Sequence, residues 1–307
     1  MSPSPIDAFV TAHGLRFHYR RWTPVAATTP RLPLVLLHGL ASALRIWDRV
    51  APLLAAQGHE VLAIDQRGHG ESEKPESGYD FETIVADDAA IIRALNIQRY
   101  AVVGHSWGAS VALEFAATHA DEVAALLLVD GATGQLSARA NWSREIAIER
   151  LAPPRFAGTS RTAFVERIKQ GPLGAQWSDE LEDILLTIVE LRSDNTVAPR
   201  LSFENHLKIV GSLWDQPTYA LYQRVRCPIT LIVAEPPTIS ETQADYVQQR
   251  RTGLEEIAHL RPDISILHLS DTIHDIPLQR PRELADIIAH AAEEASNQNE
   301  KTDTSQL

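Results

Sequence analysis

The sequence has almost none of the residue on which disulfide scaffolds and thiolate metal sites depend. Cys227 is the one cysteine among 307 residues, so the chain cannot form an intramolecular disulfide. A single thiol also cannot make a thiolate metal site by itself. This cysteine usage is typical of a protein in a reducing compartment.

Long hydrophobic runs are missing as well. The longest apolar stretches, such as residues 123–129, are far shorter than the roughly 20 residues that a membrane-spanning helix needs. The first ten residues lack a basic flank followed by an apolar core, which is the pattern of a secretory signal. We therefore expect a cytoplasmic protein that does not associate with membranes.

Basic residues are too few to favour a polyanionic partner. The chain has 28 Lys and Arg against 40 Asp and Glu, which gives a formal net charge of −12, and no block of basic residues offsets it. A field of this sign repels nucleic acid and anionic lipid. No nucleic-acid partner is expected.

What the chain does contain is the composition and periodicity of an α/β protein. With 44% hydrophobic and 22% charged residues, it can bury a large core. Residues 8–21 alternate apolar and polar positions around Gly14, which predicts a β-hairpin. Continuous apolar runs of strand length follow at 32–37, 60–65, 100–104, 125–130, 229–234 and 264–269. Helix-period segments lie between them, so the pattern predicts a doubly wound, mostly parallel sheet covered on both faces.

One segment interrupts this alternation. Residues 132–220 contain no buried-strand run, and helical stretches such as 179–192 predict a helical cap inserted between two strands. The core is then residues 1–131 and 221–292. Because the last residues are polar and aperiodic, 293–307 are predicted to be a disordered tail.

A glycine-punctuated turn joins the strand at 100–104 to a helix. It reads Gly104-His105-Ser106-Trp107-Gly108, and G-x-S-x-G between a strand and a helix is the pattern of a nucleophile elbow, which lifts the serine above the sheet edge. A bare match is expected by chance roughly 0.1 times in 300 residues. Ser106 is therefore the predicted nucleophile. The Trp107 N–H, at the helix start, can donate to an oxyanion.

Four motifs together resemble those of the α/β-hydrolase-fold enzymes. They occur in the order of that family, at 37–40 (LHGL), 65–72 (DQRGHGES), 104–108 (GHSWG) and 273–277 (IHDIP). The resemblance covers about residues 8–131 and 221–290 and puts the insertion where the family has its cap. It implies an α/β-hydrolase core and a serine–histidine–acid triad that requires no cofactor and no metal.

A serine nucleophile needs a base to accept its proton. Of twelve histidines, His274 follows the last apolar run, on a loop that can return to the carboxyl edge of the sheet. The histidine of the resembled family lies there too, followed by a proline and a helix, as at Pro277 here. His274 is the predicted base.

Two candidates remain for the acid that orients the base. In the resembled family the acid usually follows the penultimate strand in a G-x-x-D pattern, but this chain has Ala234 and Pro237 at those two positions. Some members place the acid one strand earlier, where this chain has Asp130, followed by a glycine. Asp130 is therefore preferred, and Glu235 is the alternative.

The resemblance also implies the second oxyanion donor. This donor is the N–H of Leu40, beside Gly39, which permits a close backbone approach. His38 is expected to support the same loop. Asp65 and Arg67, in the next motif, are assigned to structural pairing of that loop rather than to direct chemistry.

The aromatic residues of the insertion favour an apolar or aryl substrate. Most are expected to form the cap's own core and some to face the cleft. They are Trp142, Phe156, Phe164, Trp177, Phe203, Trp214 and Tyr219, with Tyr222 just past the edge. Tyr219 and Tyr222 invite comparison with paired tyrosines of epoxide hydrolases, but those enzymes, like haloalkane dehalogenases, need an aspartate nucleophile where this chain has Ser106.

Together these features predict a serine hydrolase that cleaves carboxylic esters of small to medium apolar or aryl substrates through an acyl-enzyme. The same serine and histidine suit a C–C bond hydrolase, a lactonase or a perhydrolase, because these reactions differ in pocket shape. A non-hydrolytic ligand-binding protein on this fold is the alternative from another class, and the intact Ser106 and His274 argue against it.

Overall fold

The computed structural model describes residues 4–24, 31–238 and 241–304, which build an eight-stranded sheet and a smaller two-stranded one. The strands are β1 (Ile6–Ala12), β2 (Leu15–Trp22), β3 (Leu34–Leu37), β4 (Val61–Ile64), β5 (Tyr100–His105), β6 (Val123–Val129), β7 (Val189–Leu191), β8 (Val197–Pro199), β9 (Ile229–Glu235) and β10 (Ser265–Ser270). The large sheet has the order β1-β2-β4-β3-β5-β6-β9-β10. From β4 to β10 neighbouring strands pair in parallel, whereas the β1–β2 hairpin joins β4 antiparallel.

Helices cover both faces of this sheet. They are α1 (Ala51–Ala56), α2 (Phe81–Ala94), α3 (Trp107–Thr118), α4 (Arg144–Arg150), α5 (Arg161–Lys169), α6 (Asp179–Leu186), α7 (Phe203–Asp215), α8 (Thr218–Arg224), α9 (Glu241–Leu260), α10 (Ile276–Gln279) and α11 (Pro281–Thr304). Helices α2, α3, α8 and α9 bury side chains on one face, and α1 and α11 on the other.

The central strands show why their sequences are apolar throughout. Every residue of β3 is buried, with Val35 and Leu37 in the core on one face and Leu34 and Leu36 in the core on the other. A strand covered on both faces cannot alternate apolar with polar residues. The predicted fold class, a doubly wound and mostly parallel sheet, is confirmed.

The segment between β6 and β9 contains α4 to α8 and the antiparallel pair β7–β8. The prediction that 179–192 are helical is therefore wrong after Leu186, where α6 ends, and β7 takes three of the residues that follow. The β-branched pair Ile188-Val189 follows, and Asn195, with φ 62°, reverses the chain. The boundary predicted at residue 220 falls within α8, whose Tyr222 is fully buried in the core beside α3.

The C-terminal helix is longer than the sequence suggested. The polar residues predict disorder from residue 293, but α11 continues to Thr304, and residues 305–307 lie outside the described ranges. Ala292 and Ala295 are buried, so the apolar face continues past residue 292, and residues 282–304 contain no proline or glycine to end the helix. Within the described ranges, no helix is both long and apolar enough to cross a membrane.

Candidate active site

The turn between β5 and α3 has a backbone that tolerates only glycine two residues before and two residues after Ser106. Ser106 itself adopts φ 56° and ψ −121°. A Cβ on Gly104 would lie 2.1 Å from the carbonyl oxygen of Gly108, and a Cβ on Gly108 would lie 2.5 Å from the carbonyl oxygens of Leu37 and His38. These separations are far inside van der Waals contact. The G-x-S-x-G pattern is thus a packing requirement that holds Ser106 at the carboxyl edge of the sheet.

The ends of three strands bring a serine, a histidine and an aspartate together. The Ser106 hydroxyl donates to Nε2 of His274, with 2.9 Å between Oγ and Nε2. Nδ1 of the same imidazole donates to Oδ2 of Asp130 at 2.6 Å. Asp130 directly follows β6, and His274 lies on the loop between β10 and α10. The structure therefore places the predicted nucleophile, base and preferred acid in one hydrogen-bonded line.

The second oxygen of Asp130 has partners that the sequence did not reveal. Oδ1 accepts the Ala234 N–H at 2.9 Å and Nη1 of Arg250 at 3.2 Å. The side chains of Asp130 and Arg250 are 3% and 9% exposed. Arg250 lies on α9, where an arginine among polar residues has the pattern of a solvent-exposed side chain, so only the tertiary contact identifies it.

The pKa values of His274 and Asp130 are set by burial and by the contacts of these two side chains. Burial works to lower the pKa of His274, but the hydrogen bond and the negative charge of Asp130 outweigh it, so that this pKa lies above its ordinary value of 6.5. Burial works to raise the pKa of Asp130, but the hydrogen bond and charge of His274, the Ala234 N–H and Arg250 hold it below its ordinary value. Asp130 is therefore the anionic member, as an acid that orients an imidazole must be.

Glu235, the alternative acid, has a different partner. It ends β9, is half exposed, and accepts a hydrogen bond from Nδ1 of His268 at 2.8 Å. Nδ1 of His274 is already occupied by Asp130. The structure does not bring Glu235 into the line of Ser106 and His274.

Of the two predicted oxyanion donors, Trp107 is next to Ser106 in sequence, and Leu40 follows a residue that lies beside Ser106. Trp107 is the first residue of α3, so its N–H precedes the helical hydrogen-bond ladder and has no partner within it. Leu40 follows Gly39, where an added Cβ would lie 3.1 Å from the Cβ of Ser106. The backbone at Gly39 therefore runs directly beside the nucleophile.

His38 holds that loop in place. Its Nδ1 donates to the carbonyl oxygen of Gly39 at 2.8 Å, and its Nε2 accepts the Gln66 N–H at 3.1 Å. Burial lowers the pKa of His38, which keeps the imidazole neutral and able to accept as well as donate. The side-chain amide of Gln66 in turn donates to the carbonyl oxygen of His38 at 2.9 Å.

His105 acts on the histidine loop in a similar way. Its Nε2 donates to the carbonyl oxygen of His274 at 2.9 Å, and the two imidazole centroids are 4.9 Å apart. Burial is the main cause that lowers the pKa of His105 to about 4, and the positive charge of protonated His274 adds to it. A neutral His105 fixes the backbone of His274 without placing a second cation beside it.

The Asp65 loop is tied to its surroundings by ion pairs. The Asp65 carboxylate accepts hydrogen bonds from Nδ1 of His18 at 2.7 Å and from the N–H groups of Leu44 and Glu71 at 2.7 and 2.9 Å. Arg67 pairs through Nε with Asp87 at 2.7 Å. Each charge has a buried partner on another element, His18 on β2 and Asp87 on α2, which favours a structural role for this motif.

A cavity of about 720 Å³ opens beside the oxyanion loop. Its wall is mostly apolar and comes from that loop and from the inserted segment. It comprises Leu40, Ala41, Arg150, Leu151, Ala152, Pro153, Pro154, Arg155, Phe156, Ala157, Ile188, Pro199, Leu201, Phe203 and His206. Phe156 and Phe203 thus face a cavity, whereas Phe164 is buried in the inserted segment's own cluster with Val189 and Val197.

A serine at a strand–helix elbow, bonded to a histidine that a buried aspartate orients, defines on this sheet the class of α/β hydrolases. A family model described as the alpha/beta hydrolase fold matches residues 33–225, more than half of the chain. The chain therefore belongs to the alpha/beta hydrolase family.

Known proteins are similar in sequence to parts of this chain. A soluble epoxide hydrolase of Corynebacterium sp. (strain C12) is 36% identical over 136 residues, which are 44% of this chain and 45% of that protein. A non-heme chloroperoxidase of Streptomyces lividans is 36% identical over 98 residues, 32% of this chain and 34% of that protein. The chain thus spans less than half the length of either relative. A solved structure of E-2-(acetamidomethylene)succinate hydrolase matches 94% of this chain and 100% of its own with a TM-score of 0.70 and 20% identity, a likeness of fold alone.

Proposed function

We propose that the protein is a serine hydrolase that cleaves carboxylic esters through an acyl-enzyme. The observation that carries the proposal is the line from Ser106 through His274 to Asp130, with hydrogen bonds of 2.9 and 2.6 Å. Nucleophile, base and orienting acid stand in the relation that acyl transfer requires.

In the first half of the reaction, the Ser106 oxygen attacks the ester carbonyl carbon while Nε2 of His274 takes the hydroxyl proton. The C=O π pair moves to the carbonyl oxygen, where the N–H groups of Leu40 and Trp107 stabilise the negative charge. Collapse breaks the bond to the alcohol oxygen, which leaves with the proton from Nε2. The products of this half are the acyl-enzyme and the free alcohol.

In the second half, water attacks the same carbonyl carbon and gives its proton to Nε2 of His274. Collapse now breaks the bond to Ser106, and the proton returns to the serine oxygen. Asp130 keeps the proton of Nδ1 in place throughout and stabilises the imidazolium that forms in each half.

The elbow residue favours a carbonyl substrate over an epoxide. A carboxylate nucleophile that opens an epoxide forms an ester, which an activated water can hydrolyse. A serine that opened an epoxide would form an ether, which has no carbonyl carbon for water to attack. The similarity to an epoxide hydrolase therefore supports hydrolysis in general, and Ser106 supports an ester as its target.

The cavity beside Leu40 supports an apolar substrate of modest size. Its volume of about 720 Å³ lies within the range of small-molecule sites, and its wall is mainly aliphatic and aromatic. Leu40 belongs both to this wall and to the oxyanion loop, which supports the proposal that the cavity takes the acyl chain of the ester.

A fluorophosphonate probe tests the nucleophile, since it phosphonylates only an activated serine. We expect covalent labelling of the wild type, loss of labelling in Ser106→Ala, and retention in the matched control Ser110→Ala, which alters a buried serine in the first turn of α3. Labelling that is absent from the wild type, or that survives Ser106→Ala, contradicts the proposal.

A substrate panel tests the bond that is cleaved. We expect turnover of aryl esters with short to medium acyl chains, all of it lost in Ser106→Ala. The panel includes lactones, β-diketones, epoxides and an acyl donor with hydrogen peroxide. Turnover of any of these with no cleavage of simple esters would replace the ester proposal.

A further inference from the structure

An arginine from α9 contacts the acid of the Ser106 line from the side opposite the histidine. Arg250 donates from Nη1 to Oδ1 of Asp130 at 3.2 Å and from Nη2 to the carbonyl oxygen of Ala234 at 2.8 Å. Its side chain is 9% exposed. The strand end at Ala234 and the helix that follows it thus supply a cation and an N–H to Asp130.

The carboxylate of Asp130 is therefore shared between two partners, an imidazole and a guanidinium. His274 uses Oδ2 and Arg250 uses Oδ1, so neither displaces the other. A buried arginine is costly to leave unpaired, and Asp130 is the carboxylate with which it forms an ion pair in the described part of the chain. Arg250 thus keeps Asp130 ionised and fixes the direction in which Oδ2 points.

We propose, on the basis of the function proposed above, that Arg250 is a positioning residue for this site. It fixes the orientation of the Asp130 carboxylate. It also neutralises part of the negative charge of Asp130, which then stabilises the imidazolium of His274 less. His274 therefore becomes the neutral base at a lower pH than it would without Arg250. Arg250 does not touch the reacting atoms and acts through Asp130.

Other ionisable groups also surround His274, so the effect of Arg250 is measured as the change that its removal causes while these groups stay in place. Asp130 after β6, Arg250 in α9 and Asp275 beside His274 act on its charge, and the His105 ring in β5 lies 4.9 Å from its ring. Tyr246 in α9 and Asp271 on the loop of His274 line the same pocket. Among these groups Arg250 is the permanent cation. Its removal therefore strengthens the net negative field on His274 and stabilises the imidazolium.

The experiment compares the acid limb of the pH profile of kcat/KM among variants at position 250. We expect Arg250→Met and Arg250→Gln to move its midpoint to higher pH by about 0.5 to 1 unit. Arg250→Gln keeps a donor for Oδ1 without the charge, and Arg250→Lys keeps the charge, so Lys should hold the midpoint near that of the wild type. Arg251→Gln is the matched control, because Arg251 lies on the same helix and is 75% exposed.

A second measurement makes the test independent of esterase activity. The same variants in the Ser106→Ala background allow His274 to be titrated by NMR, which reports its protonation whether or not any ester is cleaved. Midpoints that stay at the wild-type value in both Arg250→Met and Arg250→Gln overturn the inference, even if kcat falls. If His274 titrates as expected but no ester is turned over, the inference stands and the proposed function fails.

Discussion

Asp130 and His274 are separated by 144 residues in sequence, yet their side chains meet with 2.6 Å between Oδ2 and Nδ1. The contact exists because parallel strands end at one edge of the sheet, so that the residue after β6 and the loop after β10 lie on the same side as the elbow after β5. The three short segments that follow β5, β6 and β10 are distant in sequence but adjacent in space, and together they form one site.

The choice of acid gives the first prediction. Asp130→Asn should lower kcat by about a thousandfold to ten-thousandfold, because a neutral amide neither holds the Nδ1 proton nor stabilises imidazolium. Glu235→Gln should leave kcat within a fewfold of the wild type, because Glu235 pairs with His268 at the strand end. Steady-state kinetics on an aryl ester measure both. A large loss in Glu235→Gln alone would reverse the assignment of the acid.

The pH dependence gives the second prediction. His274 must be neutral to accept the Ser106 proton, so kcat/KM should rise with pH through the pKa of His274. Burial opposes this pKa but Asp130 raises it overall, so the midpoint should lie above 6.5. The rate should therefore be low at pH 5 and reach a plateau on the alkaline side of this pKa. The product should be quantified after the reaction is quenched, because the signal of a phenol product changes with its own ionisation. A flat profile from pH 5 to 8 would argue against His274 as the base.

The elbow glycines give the third prediction, on stability. In Gly104→Ala the new Cβ would lie 2.1 Å from the backbone oxygen of Gly108, and neither backbone can move without disturbing β5 or α3. We expect the free energy of unfolding to fall by about 3 kcal/mol or more. Urea unfolding measures the change.

Gly158→Ala is the matched control for this substitution. Gly158 has φ +82°, but a Cβ there meets nothing within 4 Å, so only conformational strain of about 1 to 2 kcal/mol is expected. If Gly104→Ala proves no more destabilising than Gly158→Ala, close packing does not explain the glycines of the elbow.

Much of this arrangement could be predicted from the sequence, because local constraints leave local patterns. The turn at Ser106 requires glycines at fixed spacing, and strands buried on both faces require continuous apolar runs. His274 and Asp130 follow such runs, and the resemblance to the α/β-hydrolase family adds that its base and, in some members, its acid lie at these positions. These features depend on neighbours in sequence, which is why the printed residues reveal them.

Other features depend on contacts that leave no such pattern. Arg250 reaches Asp130 across 120 residues, and an arginine on a polar helix is the same in sequence whether it is buried or exposed. The strands β7 and β8 are three residues each, too short for a period to be recognised. The predicted end of α11 is too early because only alanines continue its buried face beyond Ile288, and alanine contributes little to a hydrophobic pattern.

The inserted segment gives the last prediction, which concerns substrate size. Phe203 lines the cavity beside Leu40, whereas Phe164 packs inside the segment and is 6% exposed. Phe203→Ala should enlarge the cavity and raise kcat/KM for longer acyl chains relative to the acetyl ester by about tenfold, since a few methylene contacts are worth about 1 to 3 kcal/mol. Phe164→Ala should instead lower stability by about 3 kcal/mol and leave the chain-length ratio near the wild-type value. Measured on one ester series, equal ratios in both variants and the wild type would mean that the acyl chain does not occupy this cavity.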